Sequence, residues 1–379
     1  MLTKDFYAVF SRHLDKNDLK LIIMCSIALW TFGLAGVGTI LLMRLFSYLA
    51  AGRDLASTHG ISAVESSRLG GLAIMLIVAF YALGAMLLTD YTPGVVRSNQ
   101  ELALWSALFF CAILGLIEDF KADFLSPLLR LLSKFLVFGL LLWFWPSFIP
   151  ESVGLPVLDQ LLAVPMIAWA SATVFFVGFI NAFNMSDGAN GLVPGIATVA
   201  FTVFFIEYGR PIEGLLFFAC SMFLIFNVIS GWFFLGDMGS YGLGAAIAAY
   251  GLNGVAMGDF SASFMAALLA YPCLDFVSSI IRRLAAKRSP FSADNDHLHN
   301  RLHWQLQKHV RSRVVANSLT GLLISGSSSG IVLFGYITAW RPAISDDWIF
   351  LFALQVVLYG VVFRLAGRAR PTTQFSEAA

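Results

Sequence analysis

Apolar segments, each about 20 residues long, recur along the chain and alternate with short polar strings. A helix of about that length crosses the roughly 30 Å hydrocarbon core of a bilayer and satisfies its backbone hydrogen bonds internally. A transmembrane barrel would instead show alternating apolar and polar residues. Hydrophobic residues make up 58% of the sequence and charged residues only 12%, which is too few for a soluble surface. The sequence therefore predicts an all-α, polytopic integral membrane helical bundle.

About eleven of these segments are predicted to be transmembrane helices. They are residues 19–48, 69–89, 102–117, 127–147, 160–180, 190–207, 212–233, 241–257, 261–281, 314–340 and 347–364. Alternate loops hold most of the 24 lysines and arginines, and the positive-inside rule makes those loops cytoplasmic. The N-terminus then lies on the opposite, outer face, the C-terminus is cytoplasmic, and residues 1–379 are predicted to form a single transmembrane domain.

The unusual polar strings all fall on the predicted cytoplasmic face. They lie near residues 49–68, 118–126, 181–191, 234–241 and 282–313. A transporter is the alternative reading, because transporters carry ionisable residues within their spans, as Asp275 is carried here. Acids at the ends of spans on a single face favour an enzyme that works at the membrane surface.

Four acidic residues stand at span ends on this face: Glu118, Asp119, Asp187 and Asp237. Carboxylates at membrane depth are costly unless they are paired or hydrated. Proteins typically hold Mg²⁺ through one or two carboxylates, while water and substrate phosphates supply the remaining ligands. Glycines in the strings SDGANG and LGDMGS allow close backbone approach, and amides at a following helix start favour phosphate. The pattern predicts a site for Mg²⁺ and a phosphorylated ligand.

Neutral and basic side chains accompany these acids. His297 and His299 are two residues apart and cannot share a helix face, which excludes a zinc site of the HExxH type. With Arg301 and its basic neighbours, they are predicted to form a cationic rim for a phosphorylated or nucleotide substrate. A basic loop that only sets the membrane topology would explain the arginines equally well, though not the histidines. The net charge of +1 gives no reason to expect a nucleic-acid partner. Three asparagines offer groups for sugar hydroxyls or a base edge, with interhelical hydrogen bonding as the alternative: Asn181, Asn184 and Asn190.

Taken in order along the chain, these motifs resemble those of the polyprenyl-phosphate N-acetylhexosamine-1-phosphate transferase family. The family's acid pair falls on Glu118 and Asp119, its NAxNxxDGxDG motif on residues 181–191, its metal-binding GDxGS motif on residues 236–240, and its histidine motif on His297 and His299. Any one of these motifs alone would be unspecific, whereas all of them together are highly specific.

The resemblance implies transfer of a sugar-1-phosphate from a UDP-sugar to undecaprenyl phosphate, with release of UMP. It implies Mg²⁺ as cofactor, with Mn²⁺ as an alternative, and UDP-sugar, undecaprenyl phosphate and membrane lipid as partners; a homodimer is left open. The family includes enzymes that start O-antigen, enterobacterial common antigen and teichoic acid linkage units. A role in lipopolysaccharide or cell-wall biogenesis is therefore expected, with the family's peptidoglycan translocase branch as the alternative. The resemblance also implies a bacterial cytoplasmic (inner) membrane, so that the outer N-terminus is expected to be periplasmic.

Residue roles follow from the same resemblance. Asp119, with Glu118 beside it, is expected to orient or deprotonate the acceptor, either directly or in a two-step route through a phosphorylated Asp119. Asp237 is the implied metal ligand, and Asp187 is expected to support the donor or the metal. The residues expected to bind substrate are Asn181, Asn184, Asn190, His297, His299, Arg301 and Arg68.

Several positions depart from the family pattern. Glu118 stands where the first aspartate of the pair is usual, and Asn190 replaces the last acid of DGxDG. Asn300 stands where the translocase branch carries a third successive histidine. These departures bear on the identity of the donor sugar more than on the type of reaction.

Overall fold

The computed structural model describes residues 15–48, 53–54, 66–88, 98–121, 124–289 and 294–367. Most of the predicted loop 49–68 lies outside these ranges, as do 122–123 and 290–293 of two other predicted loops. The elements in chain order are α1 (Lys16–Ser47), β1 (Arg53–Asp54), β2 (Ser66–Ser67), α2 (Gly70–Leu88), α3 (Asn99–Phe120), α4 (Pro127–Phe144), α5 (Pro156–Leu162), α6 (Pro165–Met185), α7 (Leu192–Tyr208), α8 (Pro211–Ser230), α9 (Gly236–Met257), α10 (Ala262–Leu268), α11 (Ala270–Ala285), α12 (Leu298–Gln307), α13 (Arg313–Ser325), α14 (Ile331–Ile337) and α15 (Trp348–Leu365).

Large apolar side chains cover the outside of the bundle. Within the described chain, eight helices are long and apolar enough to cross a membrane, counting α1 as if it were straight, and the pair α10 and α11, bent by 78°, makes a ninth if it is one span. Outward-facing residues such as Trp143 and Phe350 are 57% and 73% exposed, as expected of side chains that face lipid. The prediction of an all-α, multi-pass membrane protein is confirmed, whereas the assignment of loops to sides stays a prediction.

Helix α9 lies at the centre of the bundle, packed against α3, α6 and α2. Glycines allow its backbone to approach two neighbours closely. Gly115 on α3 faces the carbonyl of Asp237, and Gly71 on α2 faces the backbone of Gly239, so that neither position has room for a side chain. Small residues at such crossings are typical of membrane bundles. Three helices therefore meet at the start of α9.

Several helices extend by about one turn into strings that were predicted to be loops. Glu118 and Asp119 lie in the last turn of α3, and Asn181 and Asn184 lie in the last turns of α6. Residues 236–240 form the first turn of α9 rather than a loop. The side chains of these motifs consequently project from helix ends, where the backbone geometry is fixed.

Helix α1 corrects the predicted single crossing at residues 19–48. Gly33 has φ +63° and ψ −150°, far from helical values, and Gly36 packs against the carbonyl of Ala28. Eight residues of straight helix would separate those two positions by about 12 Å, so the chain must reverse at Gly33. Segment 19–48 is therefore a hairpin of two helical arms.

The contact between α2 and α9 predicts a stability difference between two glycines of the same helix. Gly71→Ala places a methyl group against the α9 backbone, which cannot yield, and such overpacking costs about 1–3 kcal/mol. Gly84→Ala is the matched control, because nothing lies within 4 Å of a Cβ at that position. We expect Gly71→Ala alone to lower the unfolding temperature of the detergent-solubilised protein by several degrees. Equal unfolding temperatures for the two variants would contradict the packing.

Candidate active site

Two carboxylates bind the first turn of α9. Asp119 accepts the amides of Asp237 (2.8 Å) and Met238 (2.9 Å), one through each oxygen. Asp187, in the turn after α6, accepts the amide of Gly236. The first amides of a helix have no carbonyl partner within the helix, so these acids supply the missing acceptors. Asp119 and Asp187 are thereby fixed beside Asp237.

Asn184 holds the side chain of Asp237. Its Nδ2 donates to Asp237 Oδ1 (2.7 Å) and to Ser240 Oγ (2.8 Å). Within the described part of the chain, no hydrogen bond is formed to the second oxygen of Asp237. Because Asp237 is only partly buried, that oxygen is available to a ligand.

The acids repel one another across this turn. Burial, together with the negative charge of Asp237, raises the pKa of Asp187 to about 7. Arg68, which follows β2, is in electrostatic contact with Asp119, Asp187 and Asp237 and opposes this repulsion. The structure therefore brings together five of the predicted residues: three acids, Asn184 and Arg68.

The donor set fits a hard divalent cation. Asp237 and Asp187 offer carboxylate oxygens, the ligands that Mg²⁺ prefers. Among the described residues, no three acidic, histidine or cysteine side chains form a group that could hold a metal. One or two carboxylates suffice for Mg²⁺ when phosphates and water complete the shell. Mg²⁺ binding stays a prediction.

A buried lysine that the sequence analysis did not single out borders these acids. Lys134 on α4 is fully buried, donates to Asn181 Oδ1 (2.7 Å) and lies 4.0 Å from the ring centroid of Tyr241. It is also in electrostatic contact with Asp237. A lysine inside an apolar span is costly without partners, and that cost is the sequence signal that could have identified Lys134.

Glu118 is engaged in the connection between α3 and α4. Its oxygens accept the amide of Leu125 (3.0 Å) and pair with the guanidinium of Arg130 (3.2 Å). Both partners lie beyond the end of α3, so the buried Glu118 ties the two helices together. A catalytic role for Glu118 stays a prediction.

The histidine pair stands at the start of α12. The rings of His297 and His299 stack, with centroids 5.3 Å apart. Asp275 accepts hydrogen bonds from Nδ1 of His297 (2.5 Å), the amide of Leu298 (3.1 Å) and the hydroxyl of Tyr359 (2.8 Å). Asp275, the acid that best suited a transporter, thus anchors the histidine segment.

His299 links the histidines to the acids. Its Nδ1 is hydrogen-bonded to the hydroxyl of Tyr271 (2.9 Å), and its Nε2 packs against Gly188, the neighbour of Asp187. Burial, reinforced by the charge of His297, lowers the pKa of His299 to about 3. The ring is therefore neutral near pH 7, which corrects the predicted cationic rim at this residue.

Arg301 is engaged within the protein. Its guanidinium donates two hydrogen bonds to Asp296 (2.7 and 2.6 Å) and stacks on the ring of Phe363, 3.6 Å from the centroid. These contacts fasten α12 to α15. The structure does not bring Arg301 into contact with the acids, and its predicted role with substrate stays a prediction.

Asn190 belongs to a buried amide network. Its backbone amide donates to Asn317 Oδ1 (2.9 Å). Asn227, which the sequence analysis missed, accepts the amide of Gly191 (2.7 Å) and donates to the carbonyl of Phe233 (2.7 Å). Asn227 therefore joins the two glycine-containing segments of the site, but its position inside an apolar span gave no motif to find it by.

Comparisons with known proteins agree with this site. Residues 102–255 match the glycosyl transferase family 4 model. The chain is 30% identical to the decaprenyl-phosphate N-acetylglucosaminephosphotransferase of Mycolicibacterium smegmatis, over 70% of this chain and 71% of the relative. It is 32% identical to the undecaprenyl-phosphate alpha-N-acetylglucosaminyl 1-phosphate transferase of Thermotoga maritima, over 49% and 54%. It is also 32% identical to the phospho-N-acetylmuramoyl-pentapeptide-transferase of Oceanobacillus iheyensis, over 48% and 59%.

A helical membrane bundle whose acids meet at a helix start, together with these relatives, defines the class of multi-pass membrane transferases. The chain belongs to glycosyl transferase family 4, among the polyprenyl-phosphate sugar-1-phosphate transferases that its motifs resemble. The matched region runs from α3 to α9 and contains all four predicted acids.

The anchoring role of Asp275 predicts faster local proteolysis when it is removed. Asp275→Ala leaves His297, the Leu298 amide and Tyr359 without their shared acceptor, and breaking such a buried pair costs about 3–5 kcal/mol. We expect trypsin to cleave the basic segment 282–288 at least tenfold faster in the folded, monodisperse variant. Asp347→Ala, which breaks an exposed pair with Arg341, is the control and should leave the rate unchanged. Equal rates in both variants would contradict this role.

Proposed function

We propose that the protein transfers a sugar-1-phosphate of the N-acetylhexosamine type from a UDP-sugar to undecaprenyl phosphate and releases UMP. This would be the first membrane step of a cell-envelope polysaccharide, such as an O-antigen, at the bacterial cytoplasmic membrane. The observation that carries the proposal is the convergence of Asp119, Asp187 and Asp237 on the first turn of α9. The activities named for the relatives, which act on decaprenyl or undecaprenyl phosphate, support it.

Asp237 and Asp187 would hold the divalent cation. When bound, Mg²⁺ or Mn²⁺ supplies charge neutralisation for the diphosphate of the donor. Asn184 keeps Asp237 in one orientation, and Arg68 adds a fixed positive charge to the same group. The oxygen of Asp237 that Asn184 does not occupy is the ligand atom that we assign.

The proposed reaction is a direct displacement. An oxygen of the acceptor phosphate attacks the β-phosphorus of the donor, and the bond from that phosphorus to the bridging oxygen breaks as UMP leaves. Such transfers depend on positioning and charge stabilisation more than on covalent assistance. The acceptor phosphate is already anionic near pH 7, so a general base contributes little.

The hydrogen bonds of Asp119 support the direct route. Both of its oxygens accept backbone amides of α9, so both are already engaged in holding that turn. We therefore assign Asp119 to holding the Asp237 turn and orienting the acceptor, rather than to a phosphorylated intermediate.

The histidine segment is assigned to the donor. His299 is neutral and next to the Asp187 turn, so it can donate one N–H to a phosphate or sugar oxygen. Asn300, at the position of the translocase branch's third histidine, instead donates to the backbone carbonyl of Asn295 (2.8 Å). This internal use favours a simple UDP-N-acetylhexosamine over the muramoyl-pentapeptide donor.

A donor panel tests the proposal. Purified protein is incubated with undecaprenyl phosphate, Mg²⁺ and, in turn, UDP-N-acetylglucosamine, its epimers, 6-deoxy analogues and UDP-N-acetylmuramoyl-pentapeptide. We expect UMP and a lipid diphosphate-sugar from one N-acetylhexosamine donor, a loss of at least about 100-fold in Asp237→Asn, and no turnover in EDTA. Asp347→Asn, at an exposed ion pair, should retain full activity.

Three results would overturn the proposal. Turnover that persists in EDTA and in Asp237→Asn would remove the acid site from the reaction. No turnover with any donor, from folded and monodisperse protein, would mean that this member of the family does not catalyse the proposed reaction. Turnover with the pentapeptide donor alone would assign the translocase reaction instead.

The raised pKa of Asp187 predicts that stabilisation by Mg²⁺ depends on pH. In the metal-free protein Asp187 is mostly protonated below its pKa of about 7, so protons compete with the cation. We expect Mg²⁺ to raise the unfolding temperature more at about pH 8 than at about pH 6. Without metal, stability should fall as pH rises from about 4 to 7, because the unfolded chain ionises Asp187 first. Asp187→Asn should weaken both dependences; an unchanged pH profile in that variant would contradict the assignment.

A further inference from the structure

Both arms of the α1 hairpin, residues 16–32 and 34–47, end beside Trp232. Lys20 in the first arm donates to the carbonyl of Ser230 (3.2 Å) and lies 5.3 Å from the centroid of the Trp232 ring. Arg44 in the second arm lies 3.9 Å from the same ring. The two ends of α1 therefore lie together, at the end of α8 that leads into the active-site segment.

The turn of the hairpin packs against the opposite half of α8, away from Trp232. Phe32, next to the reversal at Gly33, packs against Phe217 and Phe218 with ring centroids 5.8 and 5.1 Å apart. The hydroxyl of Tyr81 on α2 donates to the carbonyl of Ala35, just after the turn (2.9 Å). The arms thus run beside α8 and α2 instead of extending away from the bundle.

The arms are short for a full double crossing. At 1.5 Å per residue, they measure about 25 and 21 Å, against a hydrocarbon core of about 30 Å. A hairpin of this length enters the bilayer and returns to the side from which it came.

The charges at the start of α1 favour the same side. Lys16 and Lys20 lie in the first turns of the first arm. If α1 crossed once, these two cations would lie on the face opposite the basic loops. A re-entrant α1 places them on the basic face, in accord with the positive-inside rule.

Trp232 connects the hairpin to the acids. It begins a segment whose backbone is hydrogen-bonded to β2 and α2. At β2, the carbonyl of Trp232 accepts the amide of Ser67 (3.2 Å), and the amide of Phe234 donates to the carbonyl of Ser67 (2.8 Å). At α2, the carbonyl of Leu235 accepts the amide of Gly71 (2.7 Å). Asp237 lies two residues after Leu235. A displacement of Trp232 would therefore be transmitted along a short, hydrogen-bonded backbone to the first turn of α9.

We propose that residues 15–48 form a re-entrant hairpin with both ends on the active-site face of the membrane, and that Arg44 positions Asp237 through Trp232. The first part concerns sidedness and is independent of the reaction. The second part rests on the proposed function.

Cysteine labelling tests the sidedness. In a parent variant that lacks the four native cysteines, Asn17→Cys is exposed to a membrane-impermeant maleimide in right-side-out vesicles. Ser152→Cys, in the connection before α5, is the outer control, and Lys308→Cys, at the end of α12, is the inner control. We expect Asn17→Cys to behave like Lys308→Cys and to react only after the vesicles are opened. Reaction in closed vesicles at the rate of Ser152→Cys would overturn the re-entrant hairpin.

Activity of paired variants tests the positioning role. We expect Arg44→Ala and Trp232→Leu each to lower kcat about tenfold, and the double variant to be no worse than either. Arg44→Lys should recover most of the rate, because an ammonium group can still lie over the indole ring. Unfolding temperatures within a few degrees of the parent separate this effect from general destabilisation. Additive losses, or full activity in Arg44→Ala, would overturn the positioning role. An inactive parent would instead contradict the proposed function, and the labelling result would still test the sidedness.

Discussion

Helix α9 begins with backbone amides that no carbonyl of its own helix can accept, and the site is organised around them. Asp119 takes two of these amides and Asp187 takes a third, although the two acids come from different parts of the chain. The contact requires α3 to approach α9 at backbone distance, which Gly115 permits one helical turn before Asp119. The positive end of the helix dipole then compensates part of the acids' charge. The packing of the helices around the start of α9 and the position of the acids therefore depend on each other.

The remaining negative charge is balanced by groups that differ in accessibility. Lys134 is fully buried and donates to Asn181, so its amino group is held in place and shielded from solvent. Arg130 pairs with Glu118 and is also in electrostatic contact with Asp237. These basic groups make the cluster tolerable at the edge of a membrane, yet among the described residues none forms a hydrogen bond to the second oxygen of Asp237. A site of this kind suits a mobile cation that arrives with a phosphorylated ligand better than a chain of proton carriers through the membrane.

The acids could be predicted because charge at the end of an apolar run is conspicuous, whereas the contacts around them could not. Asn181 and Asn184 were expected on a loop, but their side chains bind Lys134 and Asp237, which lets α6 continue through them. Lys134 was counted only as one positive charge of a basic face, because hydropathy does not reveal what a lysine touches. Arg301 resembled a substrate ligand for the converse reason: a basic loop residue gives no sign that Asp296 and Phe363 already engage it.

The reversal in α1 also could not be predicted from hydropathy, and it changes the predicted topology of the chain. Glycine is common in membrane helices, so Gly33 inside a long apolar run reads as part of one span, and only its positive φ shows that the chain turns there. The positive-inside rule was applied to a helix assumed to cross once. With α1 re-entrant, Lys16 and Lys20 would lie on the same face as the basic loops, and the predicted asymmetry of charge would become larger. The positive charge of these loops would then also attract anionic substrates toward the start of α9, where basic groups offset the charge of the acids.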